Sequence, residues 1–172
     1  MTRPSMAPSL SESQLDRLSK LFSDLVGAVT FREPSVGESE PVYTGSVILP
    51  TVERWLPGLR KPALFVRGDG GVAPRPVYFH GASFYPDLEV AHFEQRCLAV
   101  EVKFLRDSDP TGSIAKAVGQ GSIYLQSGVG RVHVLLVDCR TRRVSTPMTT
   151  ILSRIVVHHR PAFRGQVANK KG

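Results

Sequence analysis

Three side chains in this sequence stand at a spacing that suits metal-assisted hydrolysis. Asp87 follows Pro86 in Tyr85-Pro86-Asp87-Leu88, and thirteen residues separate it from Glu101 in Glu101-Val102-Lys103. The segment Leu98-Ala99-Val100-Glu101-Val102-Lys103-Phe104 reads as a strand, whose side chains alternate between two faces. Glu101 and Lys103 then share one face, while Val100, Val102 and Phe104 point into an apolar layer on the other. An acid and a base on so apolar a strand are costly to bury unless they are paired or put to use. Asp87 on a neighbouring strand would bring a second carboxylate to Glu101. Two carboxylates with room for waters and phosphate oxygens make the oxygen-rich site that Mg²⁺ prefers, with Mn²⁺ a possible substitute. Such a metal stabilises charge building up on phosphorus oxygens, and a lysine beside it orients an attacking water or helps to deprotonate it. Phosphodiester hydrolysis is the chemistry these residues suit.

A sheet must bring these residues together, and the rest of the chain reads as one. Ser11 to Val29 has the pattern of an amphipathic helix: Ser11 and Gln14 form a capping box, and Leu15, Leu18, Phe22, Leu25, Val26 and Val29 fall on one face. Glu33 to Pro41 has loop composition. Val47-Ile48-Leu49 is a short apolar run ended by Pro50, and Thr51 to Leu56 has room for one or two helical turns. Strands are expected at 63–66, 77–79, from 83 to 90 and at 98–105, with a hairpin-type turn at Gly68-Asp69-Gly70-Gly71. Ser113 is placed to cap a helix running to Gln126, and Val132 to Val137 is an apolar strand. Thr146 and Pro147 look like the start of a final helix, with Met148, Ile151, Leu152, Ile155 and Val156 as its apolar stripe. The order predicts an α/β fold, a mixed central β-sheet flanked by helices.

With these elements around them, Pro86-Asp87 and Glu101-Val102-Lys103 resemble the PD-(D/E)XK nuclease superfamily, the restriction-endonuclease-like fold. The resemblance spans residues 63–138. It implies a core of helix, three-stranded meander, crossover helix and further strand. It also implies that Asp87 and Glu101 are metal ligands and Lys103 the water-positioning or activating base. Some branches of the family carry Gln-x-x-x-Tyr on the crossover helix, and Gln120-Gly121-Ser122-Ile123-Tyr124 has that spacing. Lys116, Gln120 and Tyr124 lie one turn apart, so they can share a face toward the metal site or a DNA backbone. Gly119 and Gly121 weaken helix propensity there, which close packing or a kink would explain. A carboxylate from the first helix often joins such sites, with Glu12 or Glu53 as candidates, and members often pair as homodimers.

Composition sets the wider frame. The chain has 172 residues, enough for one domain, here bounded at 10–160 with a flexible start at 1–9 and a basic tail at 161–172 that holds Arg164, Lys170 and Lys171. Twenty-two Lys and Arg against 15 Asp and Glu give a net charge of +7, which favours a polyanionic partner such as DNA or merely keeps the chain soluble. Arg140, Arg142 and Arg143 are candidates to grip phosphates, or form a solvated turn. No run of apolar residues is long enough to span a membrane, so a cytoplasmic protein is expected. Cys97 and Cys139 are too few for a disulfide scaffold or a four-ligand zinc site and read as buried thiols. His80 and His92, and His158-His159 near the end of the final helix, read as structural. Asp69 reads as a turn residue, and Asp138 as the end of a strand. The plainer readings of the central residues are a turn opened by Asp87 and a salt-bridged sheet edge at Glu101 and Lys103. A non-catalytic nucleic-acid-binding or complex-assembly module on the same fold is the alternative function, and a subunit of a larger complex a third.

Overall fold

The computed structural model describes residues 9–59, 64–142 and 146–163. Ala63, Arg143, Arg164, Lys170 and Lys171 therefore lie outside the described residues, as does most of the basic tail. Among the described residues, six strands form one mixed sheet in the order β1-β4-β5-β6-β8-β7. Helices cover both faces.

The first helix, α1 (Glu12–Ala28), begins as its sequence predicts. Ser11 Oγ accepts from the amide of Gln14, and Gln14 Oε1 accepts from the amide of Ser11. Its buried face of Leu15, Leu18, Phe22 and Val26 packs with Leu98, Val100, Val102 and Phe104 of β5 (Gln95–Leu105). Burial of one such side chain contributes roughly 1.5–3 kcal/mol. The expected loop holds as far as Ser39; the chain then coils into α2 (Glu40–Tyr43) and a π turn over Thr44–Ile48, and the helical turns expected from Thr51 form as part of α3 (Leu49–Trp55). Ser39 caps α2 and Pro41 sits in its first turn, where proline's missing N–H costs nothing. Gly45 in the π turn meets the turn after β1 (Leu64–Gly68) so closely that a Cβ would lie 2.6 Å from the carbonyl oxygen of Asp69.

β1 and β4 (Leu88–His92) run antiparallel, as do β4 and β5, which makes a three-stranded meander. The turn at Gly68–Gly71 forms, with Gly70 at φ 86°, but it does not join two paired strands. Instead β2 (Val77–Phe79) and β3 (Ala82–Phe84) form a separate hairpin, so the strand expected from Ser83 to Val90 is divided between β3 and β4. His80 and Gly81 both have positive φ, which fits the two-residue turn between β2 and β3.

The crossover helix α4 (Pro110–Gln126) starts three residues before the expected Ser113 cap. Asp109 is the cap, accepting from the amide of Gly112 at 2.9 Å, and Pro110 is the first residue. Gly121 is explained by packing, since a Cβ there would meet Val132 Cγ1 at 3.0 Å, whereas Gly119 faces open space. β6 (Arg131–Asp138), buried throughout, returns parallel to β5.

The final helix is a correction. Residues 146–156 do not form one; β7 (Met148–Leu152) and β8 (Ile155–Pro161) make a hairpin, and β8 pairs in parallel with β6. The stripe that mimics a helix face arises across the turn, where Ile151 faces Val156 and Leu152 faces Ile155. Thr149, Thr150, Ile151, Ile155, Val156 and Val157 are β-branched, and the waiting edge of β6 lets that preference win. His158 and His159 thus sit on a strand: His158 Nε2 is 2.9 Å from His133 Nδ1, and His159 Nε2 is 2.7 Å from Asp138 Oδ2. The tail also begins later than expected, because Pro161 belongs to β8 and Phe163 bridges to Arg32.

Candidate active site

β4 pairs with β5 only as far as Leu88 and Val100. Past that point β5 continues alone on this side, and its amides must find other acceptors. Asp87 Oδ2 takes the amide of Val102 at 2.6 Å, and Glu40 Oε1 takes that of Phe104 at 2.8 Å. The parting of two strands is therefore lined by carboxylates.

Glu101 and Lys103 face this opening on the side of α4, as strand alternation predicts. Lys103 Nζ lies 2.7 Å from Glu101 Oε1 and 3.3 Å from Glu40 Oε2, and it donates to the carbonyl of Val102 at 3.1 Å. The Tyr124 hydroxyl, brought in by α4, is 2.9 Å from Glu101 Oε2 and 3.0 Å from the carbonyl oxygen of Tyr85. It has one hydrogen for these two acceptors. Gln120, one turn earlier, lies close enough to act on that hydroxyl, and its Oε1 is buried with no hydrogen-bond partner among the described residues. Lys116 is exposed and joins no ion pair or hydrogen bond among the described residues.

The electrostatics are unbalanced. Burial and then the charge of Glu101 push the Asp87 carboxyl up to about 7, against the pull of Lys103 and the Val102 amide. Burial also raises Glu101, although Lys103 and Tyr124 oppose it. Lys103 behaves oppositely: burial disfavours its charge, but Glu101 and Asp87 outweigh this and push the ammonium up to about 12. Its charge is thereby favoured, and its Nζ is directed at Glu101, Glu40 and the Val102 carbonyl. Burial raises Asp69 as well, with Lys103 the cation acting on it, and the Asp69 amide donates to the carbonyl of Asp87 at 3.3 Å. Glu101 and Glu40 thus pair with one ammonium whose charge also acts on Asp87 and Asp69.

Glu40 and Asp69 are the residues that sequence reasoning missed. Ser39-Glu40-Pro41 carries a helix-start signal, but nothing in it points to a strand sixty residues away. Asp69 does lie in a turn, as its glycines predict; only the fold puts that turn beside Asp87. The two first-helix candidates are corrected. Glu12 pairs with Arg131 at 2.8 Å on the side of α1, and Glu53 is exposed on α3; Glu40 reaches Lys103 instead. Asp138 ends β6 as expected and is buried. Arg140 and His159 hold its carboxyl well below the usual range despite that burial, with Arg140 paired through Nε and Nη2.

Protein-family models, curated proteins and solved structures yield no match to this chain. Its chemistry rests on its own residues. Among the described residues no cluster of three or more His, Cys, Asp or Glu is arranged to hold a metal ion. Magnesium does not require one, since it is commonly held by one or two carboxylates and several waters. The donor set of Asp87 and Glu101 is all oxygen, and both carboxyls are raised by burial, which an added cation would reverse. These residues fit Mg²⁺ or Mn²⁺. No helix among the described residues is long and apolar enough to cross a membrane.

Proposed function

We propose that this chain is a metal-dependent nuclease that hydrolyses phosphodiester bonds of DNA, built on a restriction-endonuclease-like core. The observation that carries the reading is the charge balance where β4 and β5 part: four carboxylates within the field of one lysine, three of them pushed toward neutrality by burial. The run from α1 through the β1-β4-β5 meander, α4 and β6 supports it, as it matches the order the resemblance implies. Asp87 and Glu101 would hold Mg²⁺, which supplies Lewis-acid stabilisation of charge developing on the phosphate oxygens. Lys103, kept charged by Glu101 and Asp87, directs hydrogen bonds at the attacking water or a phosphate oxygen. Glu40 steadies that ammonium from the far side. Tyr124, with Gln120 behind it, fixes the rotamer of Glu101. The net charge of +7 suits a polyanionic substrate in the cytoplasm, and pairing of two chains would let both strands be cut.

One observation favours a second reading. Glu101 has both oxygens engaged, by Lys103 and Tyr124, and Asp87 already accepts from an amide, as a self-satisfied polar knot in a binding module would. Incubation with linear, circular, single-stranded and branched DNA in Mg²⁺, Mn²⁺ or EDTA separates the two. Metal-dependent cutting, lost in Asp87→Ala and Lys103→Ala, supports the nuclease; salt-sensitive binding without cutting supports the module.

A further inference from the structure

On β4, two residues after Asp87 in sequence and on the face of the sheet that carries Glu101, stands a different charge cluster. Glu89 is wholly buried and paired twice. Arg75 Nε donates to its Oε1 at 2.8 Å and Arg96 Nε to its Oε2 at 2.9 Å. Arg75 also reaches the exposed Glu94 at 3.3 Å. Both oxygens of Glu89 are thereby taken. A third arginine, Arg67, sits directly across from Glu89 in the β1–β4 ladder, where paired residues project to the same face.

Arg67 pairs with no carboxylate among the described residues. Its guanidinium carbon lies 5.1 Å from the centre of the Phe65 ring, a contact that leaves the N–H groups free. Its Nε is buried with no hydrogen-bond partner among the described residues. The cation acting on Asp69 and Asp87 is Lys103. A buried guanidinium donor without an acceptor costs free energy, and native structures tolerate it where something outside the chain completes it. The planar fork of Arg matches a tetrahedral oxyanion, and Arg75 beside it adds positive charge.

We propose that Arg67 forms a phosphate subsite beside the candidate active site. On the nuclease reading above, on which this rests, it takes a phosphate of the nucleic-acid strand flanking the one to be cut. Glu89 pairs with Ala99 across the β4–β5 ladder, and Ala99 lies two residues from Glu101 on β5, so the subsite and Glu101 share a face about one pleat repeat, about 7 Å, apart along the strand. A backbone laid along this face meets the carboxylates and the arginine in succession.

The test uses the full chain and its Arg67→Ala and Arg67→Lys variants. Labelled single-stranded and duplex DNA are titrated with Ca²⁺ in place of Mg²⁺ over a range of salt. Arg67→Ala is expected to weaken binding and to lower the salt slope by one phosphate contact, about 0.9 for duplex and about 0.7 for single strands, with Arg67→Lys keeping the slope. Unchanged affinity and slope in Arg67→Ala would overturn the inference while leaving any cutting activity, and so the nuclease reading, intact. If the wild type neither binds nor cuts DNA, the nuclease reading fails, and inorganic phosphate decides the subsite. A phosphate-induced shift of the Arg67 Nε–Hε NMR signal in the wild type keeps an anion site there. A silent signal rejects it, and this readout needs no variant to fold.

Discussion

Asp87 and Glu89 are carboxylates two residues apart, one just before β4 and one on it, and the protein treats them in opposite ways. Glu89 is wholly buried and compensated on both oxygens by Arg75 and Arg96, whose donors also tie Arg75 and Pro76 over the sheet. Asp87 is less buried, yet it shares one lysine with Glu101, Glu40 and Asp69 and is pushed toward neutrality. A balanced cluster joins pieces of the fold and is silent chemically. An unbalanced cluster stores a demand for positive charge, which a metal or a proton must meet.

The contrast can be broken from either side. The largest effect is expected at the balanced centre: Glu89→Ala leaves the half-buried Arg75 and Arg96 without their shared carboxylate and should cost about 3 kcal/mol in denaturant unfolding. Next comes Lys103→Ala, which should lower the cutting rate by about 10²–10³ under single-turnover conditions, while its cost in stability is smaller. Asp87→Asn should abolish cutting yet raise the metal-free stability above neutral pH, by up to about 2 kcal/mol. The sign follows from the proton count. Asp87 in the folded state titrates near 7 and in the unfolded state near 3.8, so between these values the folded chain binds more protons. Its contribution is therefore most favourable below the lower value and is lost as pH rises to the upper one. Melting curves should show that slope in the wild type and lack it in Asp87→Asn. Added Mg²⁺ should raise the melting temperature more at about pH 8 than at about pH 5, where the metal must displace a proton. The smallest change is Tyr124→Phe, which removes one hydrogen bond to Glu101, about 1 kcal/mol in unfolding and a modest loss of rate.

The convergence of Asp87, Glu101 and Lys103 was legible because alternation along β5 and an antiparallel neighbour suffice to derive it. The same holds for α1, whose cap and stripe agree; Tyr124 on α4 was legible through the resemblance alone. Glu40 and Asp69 were not legible, because a short helix and a turn reach the site only through contacts far apart in sequence, such as Gly45 against Asp69. The β7–β8 hairpin was hidden by a coincidence of period. Apolar residues flanking a two-residue turn fall at the same intervals as a helix face, and only the open edge of β6 decides between them. Lys116 lies one turn from Gln120, as its spacing predicts, and α4 leaves it exposed.

The central claim is that the carboxylates where β4 and β5 part hold a divalent cation, and Mn²⁺ reports on this without any substrate. Titration followed by the electron paramagnetic resonance signal of free Mn²⁺ would compare the wild type with Asp87→Asn and Glu101→Gln at about pH 8. The account predicts depletion of the free signal by the wild type and loss of that depletion in both variants. Equal signals from all three proteins would contradict it, and would leave the cluster as a polar joint in the fold.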